Sequence, residues 1–234
     1  LYALWSAWTA TEFESRKLNF WDVLQGTTQI RCAGVSGIWE GPVAAGFTAE
    51  NIFYDRTVSP EKPVLRETWK VTAYVMPAGL AYNLFDVSLH QVCASLSPVT
   101  LRQYRYGGFA MRYPDAFYGE ATRFMVSTGE SDREKANHTK QRWVYMGGQL
   151  DGTQGGVAIL SHPTNFRAPE MVRLHPQTPF FCFSPSSAGD WQITPEKPYT
   201  AHYRVGVLDG PPERDRLERL WHAFASVPPV AASW

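Results

Sequence analysis

The chain has 234 residues, enough for one large domain with a substantial core. Its 22 basic and 22 acidic side chains balance, which excludes the charge excess that grips a nucleic-acid backbone or an anionic membrane surface. No stretch reaches the roughly 18 consecutive apolar residues that would make a membrane-crossing helix.

Aromatic residues are abundant, with 9 Trp, 11 Tyr and 13 Phe, and they accompany 18 Gly and 17 Pro. That combination predicts a turn-rich, all-β chain. The aromatic excess fits core filling, and it equally fits stacking against the apolar faces of sugar rings. Cys32, Cys93 and Cys182 have no metal-ligand spacing. They allow one disulfide with a free thiol, or three buried thiols, and the second is the expectation. The chain starts at Leu1 with no basic-then-apolar leader, so a processed or partial chain is expected.

In chain order, strands are predicted at 1–8, 28–35, 43–54, 64–76 and 80–93, then at 104–112, 122–127, 141–146, 155–161, 179–184 and 199–208. Alternation is clearest in VLRETWKVTAYVM (64–76), with Leu65, Trp69, Val71 and Ala73 on one face and Arg66, Thr68, Lys70 and Thr72 on the other. The next strand sends Phe85, Val87 and Leu89 one way and Asp86, Ser88 and His90 the other. The polar stretch 129–141 reads as an exposed loop, and Asn137-His138-Thr139 within it matches a glycosylation triplet. One helix is predicted near 212–226, because Leu217, Leu220, Trp221 and Phe224 recur at helical spacing after two prolines. Together these elements predict a single-domain antiparallel β-sandwich of two packed sheets with one C-terminal helix.

Several residues stand out as carriers of chemistry. Glu67 sits on the apolar face of its strand, where a carboxylate needs an arginine partner, a frayed strand end or a pocket. Asp86 and His90 share a face about 13 Å apart by strand rise. That face is either solvated or the floor of a concave cleft. The stretch GGVAILSHPTNFRAPEMVRLHP (155–176) begins as a strand with Val157 and Ile159 on one face and Ala158 and Leu160 on the other. Pro163 ends it, and His162, Asn165, Arg167, Arg173 and His175 follow. His162, at a strand end, suits general acid or base work near neutral pH. Asn165 and Arg167 suit hydroxyl or carboxylate binding, or else pin the loop themselves. No GxSxG, Walker loop or HExxH occurs, and no cofactor or metal is expected, although His162 and His175 leave a metal site open.

Segments 1–21, 85–112, 141–170 and 203–210, in order, resemble the DUF6807 family, and the His-Pro-x-Asn-x-Arg-x-Pro turn at 162–169 is the most specific part. Members often carry the label "PmoA family" or "methane oxygenase PmoA". The resemblance implies a secreted or periplasmic bacterial β-sandwich, often encoded near carbohydrate-utilisation genes, with no settled activity. An oxygenase of membrane type needs apolar spans and metal ligands, and the residues provide neither in recognisable form. Family members also carry strands and a His-rich motif just before the segment matching Leu1. If those histidines belong to the site, the expectation is that this chain carries only part of it, the rest being lost through truncation or processing or supplied by a homo-oligomer or companion chain.

The expectation is a carbohydrate-active enzyme, a glycoside hydrolase, lyase or epimerase, working in a sandwich cleft on a sugar or sugar derivative. His162 is the acid or base, with Glu67 or Asp86 as carboxylate partner. Arg112, Asn165, Arg167, Arg173 and His175 orient substrate, and Trp143 offers a stacking face. The alternatives are a non-catalytic sugar-binding module and a structural or assembly protein.

Overall fold

A computed structural model describes residues 3–227. In chain order its strands begin with β1 (Ala3–Ala7), β2 (Thr11–Phe13), β3 (Arg16–Leu18), β4 (Thr28–Glu40), β5 (Ala44–Asp55) and β6 (Lys62–Tyr74). They continue with β7 (Tyr82–Cys93), β8 (Val99–Leu101), β9 (Gly108–Arg112), β10 (Arg123–Val126), β11 (Lys140–Gln141) and β12 (Trp143–Leu150). The last are β13 (Thr153–Ser161), β14 (Glu170–Leu174), β15 (Phe180–Phe183), β16 (Trp191–Ile193) and β17 (Tyr199–Asp209). A short helix α1 (Arg133–Ala136) precedes β11, and α2 (Arg214–Ala225) follows β17.

The long strands form one eight-stranded sheet in the order β10-β12-β13-β17-β7-β6-β5-β4. A five-stranded sheet, β1-β9-β15-β14-β11, and a four-stranded sheet, β16-β8-β2-β3, make up the second layer. Neighbouring strands are antiparallel throughout. One core unites the layers: Phe53, Leu65 and Leu89 of the large sheet pack with Phe109 and Phe181 of the second and Phe13 and Ile193 of the third. Phe109 stacks on Tyr203 across the interface with ring centroids 4.2 Å apart. Burying each such side chain contributes about 2 kcal/mol. The expected sandwich is present, with its second layer divided in two.

Periodicity places the faces. Val87, Leu89 and Gln91 of β7 are buried toward the core, and Asp86, Ser88 and His90 alternate with them. Both faces of β13 are covered: Ile159 joins the main core, whereas Ala158 and Leu160 lie under α2 with Leu217, Leu220 and Phe224. Helix α2 thus packs on the outer face of the large sheet over β12 and β13. The paired glycines Gly147 and Gly156 leave room for the Tyr145 ring, whose hydroxyl a Cβ at either position would meet.

Two expectations change. The stretch 129–141 holds helix α1, capped by the Asp132 carboxylate, and the Asn137 side chain accepts from the Leu174 N–H. The three cysteines are free thiols of differing exposure: Cys32 is exposed, Cys93 half-buried and Cys182 buried. Burial pushes the Cys182 thiol up to about 12.

Candidate functional site

Strand register assembles a polar and aromatic row on the outer face of the five-stranded sheet. Trp5 pairs with Ala110, Ala110 with Cys182, and Cys182 with Arg173. The next row on that face holds Arg112 opposite Phe180, whose carbonyl accepts from the His175 N–H. These side chains point outward because their neighbours Phe109, Met111, Phe181 and Phe183 belong to the core. The result is a pocket of about 650 Å³ lined by Trp5, Trp21, Asp22, Arg105, Tyr106, Arg112, Arg173, His175 and Phe180.

The rings of this pocket brace one another. Trp5 and Trp21 meet edge to face at 5.3 Å, Trp5 stacks on Phe180 at 5.8 Å, and Trp21 tilts against Tyr106 at 5.0 Å. Cations gather beside them. Burial, then the neighbouring Arg105, holds the Arg173 guanidinium below its ordinary range. Burial and Arg173 hold Arg133 down at about 10. His175 is likewise lowered, first by burial and then by Arg173, Arg133, Arg112 and Arg105. Its Nδ1 accepts from the backbone N–H of Gln177 and Thr178, so the neutral ring carries its proton on Nε2. Asp22 accepts from the Gln25 amide at 2.7 Å.

Trp5, Trp21 and Val23 also line an adjoining cavity of about 480 Å³ with Ser6, Asn51, Glu67 and Trp69. Glu67 is only 2 % exposed. Its Oε1 accepts from the Gln91 amide at 2.7 Å and its Oε2 from the Asn51 amide at 3.1 Å. No arginine is among these partners, so of the readings open for Glu67 the pocket is the one realised. Burial raises its carboxyl above the usual range, against the pull of the Gln91 bond. A carboxyl held by neutral donors keeps its proton more readily than one in a salt bridge.

A third cavity, about 370 Å³, lies on the outer face of the large sheet beside α2, lined by Trp39, Lys70, Tyr74, Asp86, His162 and His202 among others. It does bring His162 and Asp86 to one cleft, but their polar atoms are engaged. Asp86 takes a two-pronged bond from Arg204 at 2.7 and 2.8 Å and another from the Tyr74 hydroxyl at 2.6 Å. His162 has Thr164 Oγ1 at Nδ1 and the Val227 carbonyl at Nε2. Ser88 meets His202 Nδ1 at 2.9 Å, and burial together with His162 pushes His202 down to about 4. Glu67 does not join them. Thr72 is the β6 residue opposite Asp86, and Glu67, five residues before it, points to the other face of the sheet.

Other predicted binding residues bond or pack within the protein. Asn165 donates to Ser161, Glu170 and the His202 carbonyl and accepts from the His202 N–H. Arg167, at a left-handed φ of 65°, gives its guanidinium to the carbonyls of Pro185, Gly189 and Asp190. Trp143 offers no stacking face: it is fully buried beneath α2, under the Arg214 guanidinium. Of the six binding candidates, Arg112, Arg173 and His175 are brought together in the arginine and aromatic pocket. Sequence reasoning missed Trp5, Trp21, Arg105 and Tyr106. The interleaved arginines and tyrosines of 102–106 were the signal for the last two.

Among the described residues no group of three His, Cys, Asp or Glu side chains forms a metal site. No curated protein matches the chain. One family model, described as a family of unknown function, matches residues 2–222, nearly the whole chain. On the strength of that match, the chain belongs to the family DUF6807.

Proposed function

We propose that the protein is a carbohydrate-active enzyme whose sugar lies against the Trp5–Trp21–Tyr106 wall, with Glu67 as the proton donor. The observation that carries this reading is the shared wall: Trp5 and Trp21 line both the arginine pocket and the cavity holding Glu67. Aromatic faces take the apolar face of a sugar ring, and arginine and imidazole N–H groups take its oxygens. Burial raises the Glu67 carboxyl above the ordinary carboxylate range, the direction that protonation of a glycosidic oxygen requires. His175, neutral and protonated on Nε2, is a fixed donor on the opposite side of the wall.

A sugar-binding module without catalysis is the second reading. It is favoured by the cleft beside α2, where His162 and Asp86 are spent on structural bonds. The experiment that separates the two is release of reducing ends from a panel of oligosaccharides by the unaltered chain and by Glu67→Gln. An enzyme loses about a hundredfold or more of its turnover in the variant while sugar binding persists. Turnover undiminished in Glu67→Gln removes Glu67 from the reaction, and binding with no turnover on any glycan supports the module.

A further inference from the structure

We infer that the arginine end of the pocket is an oxyanion subsite, selecting a sugar ring that bears a carboxylate or a sulfate. The inference rests on reading the Trp5–Trp21 wall as the sugar face, and it adds the substrate class. Several arginines elsewhere on the chain are ion-paired: Arg16 meets Asp55, Arg31 meets Glu61, Arg102 meets Glu12 and Asp190, and Arg204 meets Asp86. Arg105, Arg112 and Arg173 have no such partner among the described residues, although all three line one pocket. The Arg112 Nε is buried with no hydrogen-bond partner, an uncommon state for a charged donor. Arg173 makes one bond, to the Leu174 carbonyl, and Arg105 lies over the Tyr106 ring at 5.4 Å. Asp22, the one carboxylate in the lining, accepts from the Gln25 amide.

Uncompensated cations gathered on one sheet face repel one another, and the lowered Arg173, Arg133, His138 and His175 all report that repulsion on top of burial. A bound oxyanion relieves it and fills the empty Arg112 donor. Guanidinium forks match the planar carboxylate and the sulfate oxygens alike. The rings of Trp21 and Tyr106 adjoin the arginines, so a sugar ring held there presents its acidic substituent to them.

The test is calorimetric titration of the full chain with glucose, glucuronate, glucose 6-sulfate, acetate and inorganic sulfate, each at low and high sodium chloride. The expected result is that an acidic sugar binds about tenfold or more tighter than glucose, with the advantage shrinking as salt rises. Arg173→Gln and the exposed Arg105→Gln should each erode that advantage. Arg105→Gln keeps the test sound if Arg173→Gln fails to fold. Equal binding of glucose and both acidic sugars overturns the oxyanion subsite and leaves the sugar reading standing. Binding of acetate or sulfate as tight as that of the acidic sugars upholds the subsite and sinks the sugar reading. Binding of no acidic probe by the folded chain overturns the inference.

Discussion

Glu67 and Gln91 are direct partners across β6 and β7, and the Gln91 amide donates to the Glu67 carboxyl at 2.7 Å. Gln91 in turn accepts from the Trp8 indole at 2.7 Å, so an acid, an amide and an indole form one buried chain. Such a chain orients the carboxyl without neutralising it by a cation.

Glu67→Gln should therefore leave the fold intact. The Glu67 carboxyl is raised in the folded state, so its contribution favours folding at low pH and is lost as pH rises through the folded value. The variant removes that loss. Urea unfolding at acid and neutral pH should show Glu67→Gln gaining stability relative to the parent as pH increases. A variant that loses stability on the same rise would contradict the raised value.

Glu170 supplies a second pH signature. It is buried, bonded to Ser161, Asn165 and Tyr203, and burial raises its carboxyl to about 6 from an ordinary 4.5. The folded state then holds the proton more tightly, so stability falls as pH climbs between those values, by about 2 kcal/mol in all. Glu170→Gln should flatten unfolding free energy across that window, a change read by denaturant titration at closely spaced pH.

Arg167→Ala separates a staple from a ligand clamp. The guanidinium bridges three carbonyls 18 or more residues along the chain. Its loss should cost about 1–3 kcal/mol and lower the melting temperature. Sugar affinity should stay unchanged, because Arg167 lines none of the three cavities described above. Weakened binding in a variant of unaltered stability would return Arg167 to the substrate.

The legible parts of this molecule were those set by neighbours in sequence. Alternation in β6 singled out Glu67, the spacing of Leu217, Leu220 and Phe224 gave α2, and the two faces of β13 followed from Val157–Leu160. The three-residue strands β2, β3, β8 and β16 were not legible, since one or two side chains per face carry no period. Asn165 and Arg167 misled because a polar side chain in a proline-rich turn looks alike whether it faces a ligand or a distant carbonyl. Trp143 misled because strand β12 is buried on both faces and shows no alternation. The arginine pocket depends on the register Trp5–Ala110–Cys182–Arg173, which joins residues far apart in sequence.

The most direct measurement is a crystal structure of the chain with a glucuronate-containing oligosaccharide. The account predicts a sugar ring against Trp5 and Trp21, its carboxylate on Arg112 and Arg173, and a glycosidic oxygen on the Glu67 side of the wall. Sugar seated instead between His162 and Asp86 beside α2, with the arginine pocket empty, would contradict it.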